Sequence, residues 1–356
     1  MPIATPGDLR EHIDLAVRIE LSTIPPYLYA LYSIVDQASE AALLLRSIVA
    51  EEMLHAALAA NLLLAVGGRP RFAGELMPTY PALVPYHQPP LALNLEPCST
   101  RLIQDVFLRI EQPEAHNRPS VPGAFGSLGQ FYHAVENGIE SLAEVHDLFA
   151  NPQVDSQLAD PAYYVPVVFD AEDSGGLVAI VDVASARRAI EVIVHQGEGL
   201  STRRWADAAH QELTHYYKLL QIIDGASPLG AVRRLRRNPR TADFPDELQP
   251  VSDLFNACYR YLFVVLDELF GPGTDKRDGV RRLYLLMGEV LGGLARYLVE
   301  QPIGDGTFTS PTFEIYPLDR LVPGETLAAL AATVRDLHPK LGGTLSAIHE
   351  AWRSTR

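Results

Sequence analysis

Several acidic residues in this sequence sit where acids are costly. A helix turns by about 100° per residue, so positions i, i+3, i+4 and i+7 share a face. In the first long apolar stretch that face carries Leu9, Ile13, Ala16, Val17, Ile24, Tyr27 and Leu31, and Glu20 falls in its middle. The next face carries Leu45, Ile48, Val49, Ala56, Ala59, Leu63 and Val66, with Glu52 at its centre and His55 one turn on. Much later, a face of Ala209, Leu213, Tyr216, Tyr217, Leu220 and Ile223 holds Glu212-Leu-Thr-His215, a second Glu-x-x-His. The stretch before it, RRAIEVIVHQGEGL, sets Glu191 and Glu198 on one side. A carboxylate in a core must become neutral, pair with a cation or bind a metal. The stripes offer no Lys or Arg in register, since Arg18 and Arg46 lie to the side.

The set is a Glu on each of two helices and a Glu-x-x-His on each of two others. That is the carboxylate-bridged di-iron arrangement of ferritin-like four-helix bundles. Hard carboxylate oxygens with one imidazole per metal suit two iron ions, or manganese, and leave positions open for O2 or substrate. The ligands expected from spacing are Glu20, Glu52, His55, Glu212 and His215. The third-helix ligand stays open between Glu191, Glu198 and Glu136, the last in FYHAVENGIESL. A short loop between antiparallel helices would put Glu191 level with Glu212 and His215, whereas a longer loop at LSTRRWADA would favour Glu198.

The elements that must position these residues are helices. Long helices are expected over 7–36 and 39–66, capped by Asp8 and Ser39, with Gly67-Gly68 closing the second. Further helices are expected at 99–111, 127–149 with Ser127 near its cap, 185–199 capped by Ser185, and 205–224. Three more follow, at 251–270, 276–300 and 324–353. Residues 67–126 and 150–182 read as irregular insertions, the first Pro-rich and lid-like, the second with short strands in YYVPVVF and GLVAIVDV. The fold class is mainly α: a ferritin-like four-helix bundle over 1–230 with these two insertions, a linker at 231–250, and a helical C-terminal region over 251–356. Within the first helix, Pro25 and Pro26 remove the N–H groups that would bond the carbonyls of Leu21 and Ser22. A kink or local widening beside Glu20 is expected there.

Composition narrows the function classes. The 356 residues carry a formal net charge of −15, so no basic face exists for a nucleic-acid backbone. Neither a secretory signal nor a stretch of 18 uncharged apolar residues appears, so no membrane partner and a cytoplasmic setting are expected. Two cysteines, Cys98 and Cys258, form no disulfide framework or thiolate metal site.

IELSTIPPYLYALYSI, AEEMLHAALAANLLLAVGG, FYHAVENGIESL, VHQGEG, ELTHYYKL and PTFEIYPL together resemble the ferritin-like iminophenyl-pyruvate dimer synthase family. This is the ferritin-like domain of violacein and rebeccamycin pathway proteins that couple two oxidised aromatic amino acids. The resemblance spans roughly residues 7–320, with the motifs in family order. It implies a non-haem di-iron centre held by Glu20, Glu52, His55, Glu212 and His215, with the Glu198 of QGEG as third-helix ligand. Glu136 is kept as a conditional ligand, and Glu191, Tyr27, Tyr132, His133, His195 and Tyr216 as residues that hold or orient ligands. The pathway enzymes can be much longer chains, so this one is expected to be a standalone member. The function expected is an oxidase or oxygenase acting with O2 or peroxide on a small, amino-acid-derived substrate in biosynthesis. A ferroxidase and a metal-binding scaffold are the alternatives. The Tyr/Leu-rich faces of the C-terminal region fit packing on the bundle or on a second subunit of a homo-oligomer.

Overall fold

A computed structural model describes the chain except residues 1–2, 75, 85–86, 88, 113–124, 169–174, 198–213, 319–322 and 354–356. Helix α1 (Pro6–Ser33) starts at a capping box: Thr5 Oγ accepts from Asp8 N and the Asp8 carboxylate accepts from Thr5 N. Asp8 is therefore the third helical residue, not the expected cap. Helix α2 (Glu40–Ala65) is capped by Ser39 as expected. It ends before Gly67, whose φ of 78° is in the left-handed region that glycine tolerates. Among the described helices only α2 is long and apolar enough to cross a bilayer, and 83% of that stretch is buried inside the fold. Its apolarity belongs to the core.

Helix α1 passes through Pro25 and Pro26 without a break in α-helical winding. The expected local widening is absent because a side chain replaces one missing donor. The Tyr80 hydroxyl donates to the carbonyl of Ser22, which Pro26 leaves free, at 2.7 Å. The nearby hydroxyls are used inside the fold, Ser22 on the carbonyl of Ile19 and Thr23 on a carboxylate of α2.

In the first insertion a short hairpin pairs β1 (Ala82–Leu83) with β2 (Ala92–Leu93). Helix α3 (100–110) follows, wound as π helix over Ile103–Phe107. Helix α4 (Leu128–Ala143) is capped by Ser127. Helix α5 (Val183–Gln196) is capped by Asp182, with the expected cap Ser185 serving as its third residue. Helix α6 (His215–Ile223) is capped by Thr214, and the residues before it that were expected to be helical lie outside the described set. Helix α2 packs on α1, α5 and α6, α4 on α1 and α5, and α6 on α3.

The strands expected in 150–182 do not form among the described residues. Side-chain amides take the backbone groups that a ladder would have used. Asn61 bonds both the N–H and the C=O of Leu158, at 2.9 and 2.6 Å, and Gln157 does the same for Ile180 at 2.8 Å each. Val165, Val167 and Val168 are left exposed, so no second apolar face exists for a sheet to cover.

The C-terminal region holds α7 (Gln249–Leu269), α8 (276–298, π-helical over Leu285–Leu291), α9 (Pro323–Leu337) and α10 (Gly342–Arg353). The single helix expected over 324–353 is two, because His338 leaves the helical region before Pro339. Residues 231–250 do not hang free: Arg233 N bonds Ser33 O at 2.7 Å and Phe308 N bonds Arg234 O at 3.0 Å. That stretch straps the end of α1 to the loop after α8.

Candidate metal centre

Three carboxylates and two imidazoles meet between α1, α2, the end of α3 and the start of α6. Glu20, Glu52, His55, Glu111 and His215 are all buried, none more than 3% exposed. Each carboxylate has one oxygen tied down by a hydroxyl. Tyr132 donates to Glu20 Oε1 at 2.6 Å, Tyr27 donates to Glu111 Oε1 at 2.5 Å, and Thr23 donates to Glu52 Oε2. The other oxygens turn inward. Glu20 Oε2 lies 3.5 Å from His55 Nδ1, and Glu52 Oε1 lies 3.8 Å from His55 Nδ1 and 3.1 Å from His215 Nδ1. Glu111 Oε2 is 3.4 Å from the same His215 nitrogen.

The imidazoles are held from their far sides. His55 Nε2 donates to Gln196 Oε1 at 2.9 Å, which leaves Nδ1 as the lone-pair nitrogen facing the carboxylates. His215 Nε2 sits 2.9 Å from Glu51 Oε2, off the line of a good hydrogen bond but close enough to favour the proton there. The rings are 5.4 Å apart and nearly parallel. Glu20 Oε2, His55 Nδ1, Glu111 Oε2 and His215 Nδ1 are buried with no hydrogen-bond partner. Native interiors seldom leave one such atom, and here four point at one another.

The electrostatics agree. Burial raises the Glu52 pKa, and the charges of Glu111 and Glu20 add to the rise against the contact with His215. Burial alone would lower the two histidines, but Glu20 lifts His55, and Glu111 with Glu51 and Glu52 lifts His215 well above the usual range. Glu52 and the two histidines are thus shifted toward their protonated forms, the direction expected beside uncompensated negative charge.

Behind His215 lies a buried ion pair. Lys218, fully buried, donates to Glu51 Oε1 at 2.6 Å and to Ser47 Oγ at 3.0 Å. Against its burial, Lys218 and His215 bring the Glu51 pKa down to about 2, while burial lowers that of Lys218. The two directions differ in what they say of stability: each charge holds the other ionised, and desolvation is the cost. The buried lysine serves Glu51 rather than the inward acids Glu20 and Glu52, for which no lysine or arginine was expected in register.

Of the residues singled out in the sequence, Glu20, Glu52, His55 and His215 come together, with Tyr27 bonded to Glu111 and Tyr132 to Glu20. Glu198 and Glu212 lie outside the described residues. Glu191 is exposed on α5, pointing away from the cluster. Glu136 pairs with Arg187 at 2.9 Å on the surface, and His133 is exposed one turn from it on α4. His195 is half-buried and Tyr216 packs edge-on against Tyr217. Glu111 was missed. It lies in RIEQP at the tail of a short helix inside the Pro-rich insertion, but Ile103, Phe107 and Ile110 precede it at helical spacing, and that stripe was the available signal. The QGEG motif reaches the cluster through Gln196 and Gly197. A Cβ on Gly197 would sit 3.5 Å from Glu111 Oε2, an ordinary contact distance, which puts this backbone beside that carboxylate.

Two groups of three ligand atoms result, Glu20–Glu52–His55 and Glu52–Glu111–His215, each with its atoms within 4.8 Å of one another. Glu52 is common to both. The donor set fits a pair of hard or borderline metal ions bridged by one carboxylate.

Comparison with known proteins agrees with this architecture. The dichlorochromopyrrolate synthase of Lentzea aerocolonigenes is 24% identical over 415 residues, covering 95% of this chain. The chain spans only 39% of that relative's length. The crystal structure of a ferritin-like protein from Caulobacter vibrioides superposes with a TM-score of 0.63 at 23% identity. It covers 87% of this chain and 100% of that one, a likeness of fold. A ferritin-like family model matches residues 13–224, more than half of the sequence and all of the described cluster, and the chain belongs to the ferritin-like family.

Proposed function

We propose that this protein is a di-iron oxidase or oxygenase of secondary metabolism that uses O2 or peroxide on a small, amino-acid-derived substrate, in the manner of an iminophenyl-pyruvate dimer synthase. The observation that carries the reading is the convergence of one unpartnered oxygen or nitrogen from each of Glu20, His55, Glu111 and His215 around the shared Glu52. Glu20 and His55 would hold one ion and Glu111 and His215 the other, with Glu52 bridging. Glu212 and Glu198 are the sequence candidates for the remaining carboxylate. Iron, or manganese, bound there supplies the redox chemistry toward the oxidant.

The chain's own part is positional. Tyr132, Tyr27 and Thr23 fix the carboxylate rotamers, and Gln196 and Glu51 fix which imidazole nitrogen carries the proton. The buried setting excludes bulk water from the cluster. Support for a biosynthetic role comes from the dichlorochromopyrrolate synthase, whose name describes a biosynthetic enzyme.

The test is anaerobic loading with Fe(II), metal analysis, and absorbance after O2 addition with and without amino or keto acids. Two irons per chain and a substrate-dependent decay are expected. Glu52→Ala and Glu111→Ala should each lower the iron bound, Glu52→Ala more because it serves both ions. Unchanged binding in Glu52→Ala would sink the metal reading. Free turnover of iron into mineral would replace the oxidase with a ferroxidase, toward which the net charge of −15 would draw Fe²⁺.

A further inference from the structure

The two imidazoles of the cluster are backed by different chemistry. His55 Nε2 donates to the amide oxygen of Gln196 at 2.9 Å, a neutral acceptor. On the other side, Glu51 and Glu52 are neighbours on α2 and point about 100° apart. The His215 ring lies between them, Nδ1 3.1 Å from Glu52 Oε1 and Nε2 2.9 Å from Glu51 Oε2.

Glu51 is held from behind. Lys218 follows His215 by one turn of α6, and its ammonium reaches both Glu51 oxygens and Ser47 Oγ. Ser47, one turn before Glu51, donates to the same carboxylate at 3.1 Å. All four side chains are buried. A buried ion pair is seldom more stabilising than a packed apolar pair of the same volume, so stability does not explain two charges at this depth. Their effect on His215 does. A charged acceptor draws the outer imidazole proton more strongly than an amide does, and the inner nitrogen becomes the better donor to a metal. Outer partners of this kind are worth about 10- to 100-fold in metal affinity. The neutral amide behind His55 gives its inner nitrogen less.

We propose that Glu51, held by Lys218, makes the position at His215 the tighter of the two, so that metal fills Glu111–His215 first and Glu20–His55 second. This rests on the metal centre proposed above and adds to it an order of loading. At limiting metal the protein would carry one ion per cluster rather than a mixture of bare and doubly loaded chains. Glu51 and Lys218 are positioning residues, acting on the ion through His215.

The probe is Mn²⁺, titrated into the metal-free full chain while electron paramagnetic resonance counts the free ion. Two steps are expected, the first at least about tenfold tighter. Glu20→Ala should remove the weak step and keep the tight one, and Glu111→Ala should do the reverse. Glu51→Gln combined with Lys218→Met removes both buried charges together. In that variant the tight step should weaken by about tenfold or more while the weak step holds. Gln196→Leu should weaken the second step alone. If the paired variant fails to fold, Glu51→Asp, which draws the carboxylate back from Nε2, must weaken the tight step alone. A merely structural role for Glu51 and Lys218 would weaken both steps alike. That result, two equal steps in the wild type, or a tight step that survives Glu111→Ala would each overturn the loading order and leave the metal centre standing. A wild-type chain that binds no Mn²⁺ would remove the centre and the order with it.

Discussion

The residue that does most for the candidate centre without facing it is Lys218. Its ammonium is buried and reaches Glu51, which also accepts from Ser47 and lies against the far nitrogen of His215. Removing one partner of a buried pair strands the other charge, at a cost of about 3–5 kcal/mol. Lys218→Met should therefore lower unfolding stability by about that much in urea titrations. Glu51→Gln combined with Lys218→Met removes both charges and should recover most of the loss. A single variant as stable as wild type would mean that Glu51 has water to fall back on. This pair also marks the limit of reading acids from apolar stripes. Glu20 and Glu52 were legible because each breaks the periodicity of its own helix. Lys218 follows His215 by one turn, but its partner is 167 positions away on α2, and nothing in one helix shows that pairing.

At the scale of elements, the two prolines of α1 offer a test of how the helix tolerates them. Pro26 cannot donate to the Ser22 carbonyl, and the Tyr80 hydroxyl does so at 2.7 Å. Tyr80→Phe should cost about 1 kcal/mol, the usual worth of one such bond. In a Pro26→Ala background the helical N–H returns, and the same change should cost less. A double-mutant cycle with no coupling would show that Tyr80 and Pro26 act independently. The long helices α1 and α2 were legible from period, and the starts of α2 and α4 from the caps at Ser39 and Ser127. The helices after α2 were less so, because α3 and the described part of α6 are short. One carboxylate of the cluster, Glu111 at the end of α3, was not expected at all, and the third-helix candidate Glu198 lies outside the described residues. The missed break before Pro339 had a local signal, whereas the absence of strands among the described residues of 150–182 depends on Asn61 and Gln157, whose amides bond that backbone only after folding.

For the whole molecule the question is whether bundle and C-terminal region melt together. Two features tie them: the strap at 231–250 bonded to the end of α1, and the aromatic walls of α7 and α8 facing α1 and α2. Metal bound only by the folded bundle adds stability by mass action, about 2.7 kcal/mol at one hundred times the dissociation constant. Chelation should therefore lower the melting temperature by several degrees. The two cysteines report where the change occurs. Cys98 donates its backbone N–H to Ser33 of α1, and burial pushes its thiol up to about 12. Cys258 is buried on α7, and burial raises its thiol pKa also. Both should resist a thiol reagent at pH 8 until the chain opens. On heating, metal should delay labelling of Cys98 and Cys258 by the same number of degrees if the strap and the shared wall make one cooperative unit. Protection of Cys98 alone would divide the molecule at residues 231–250.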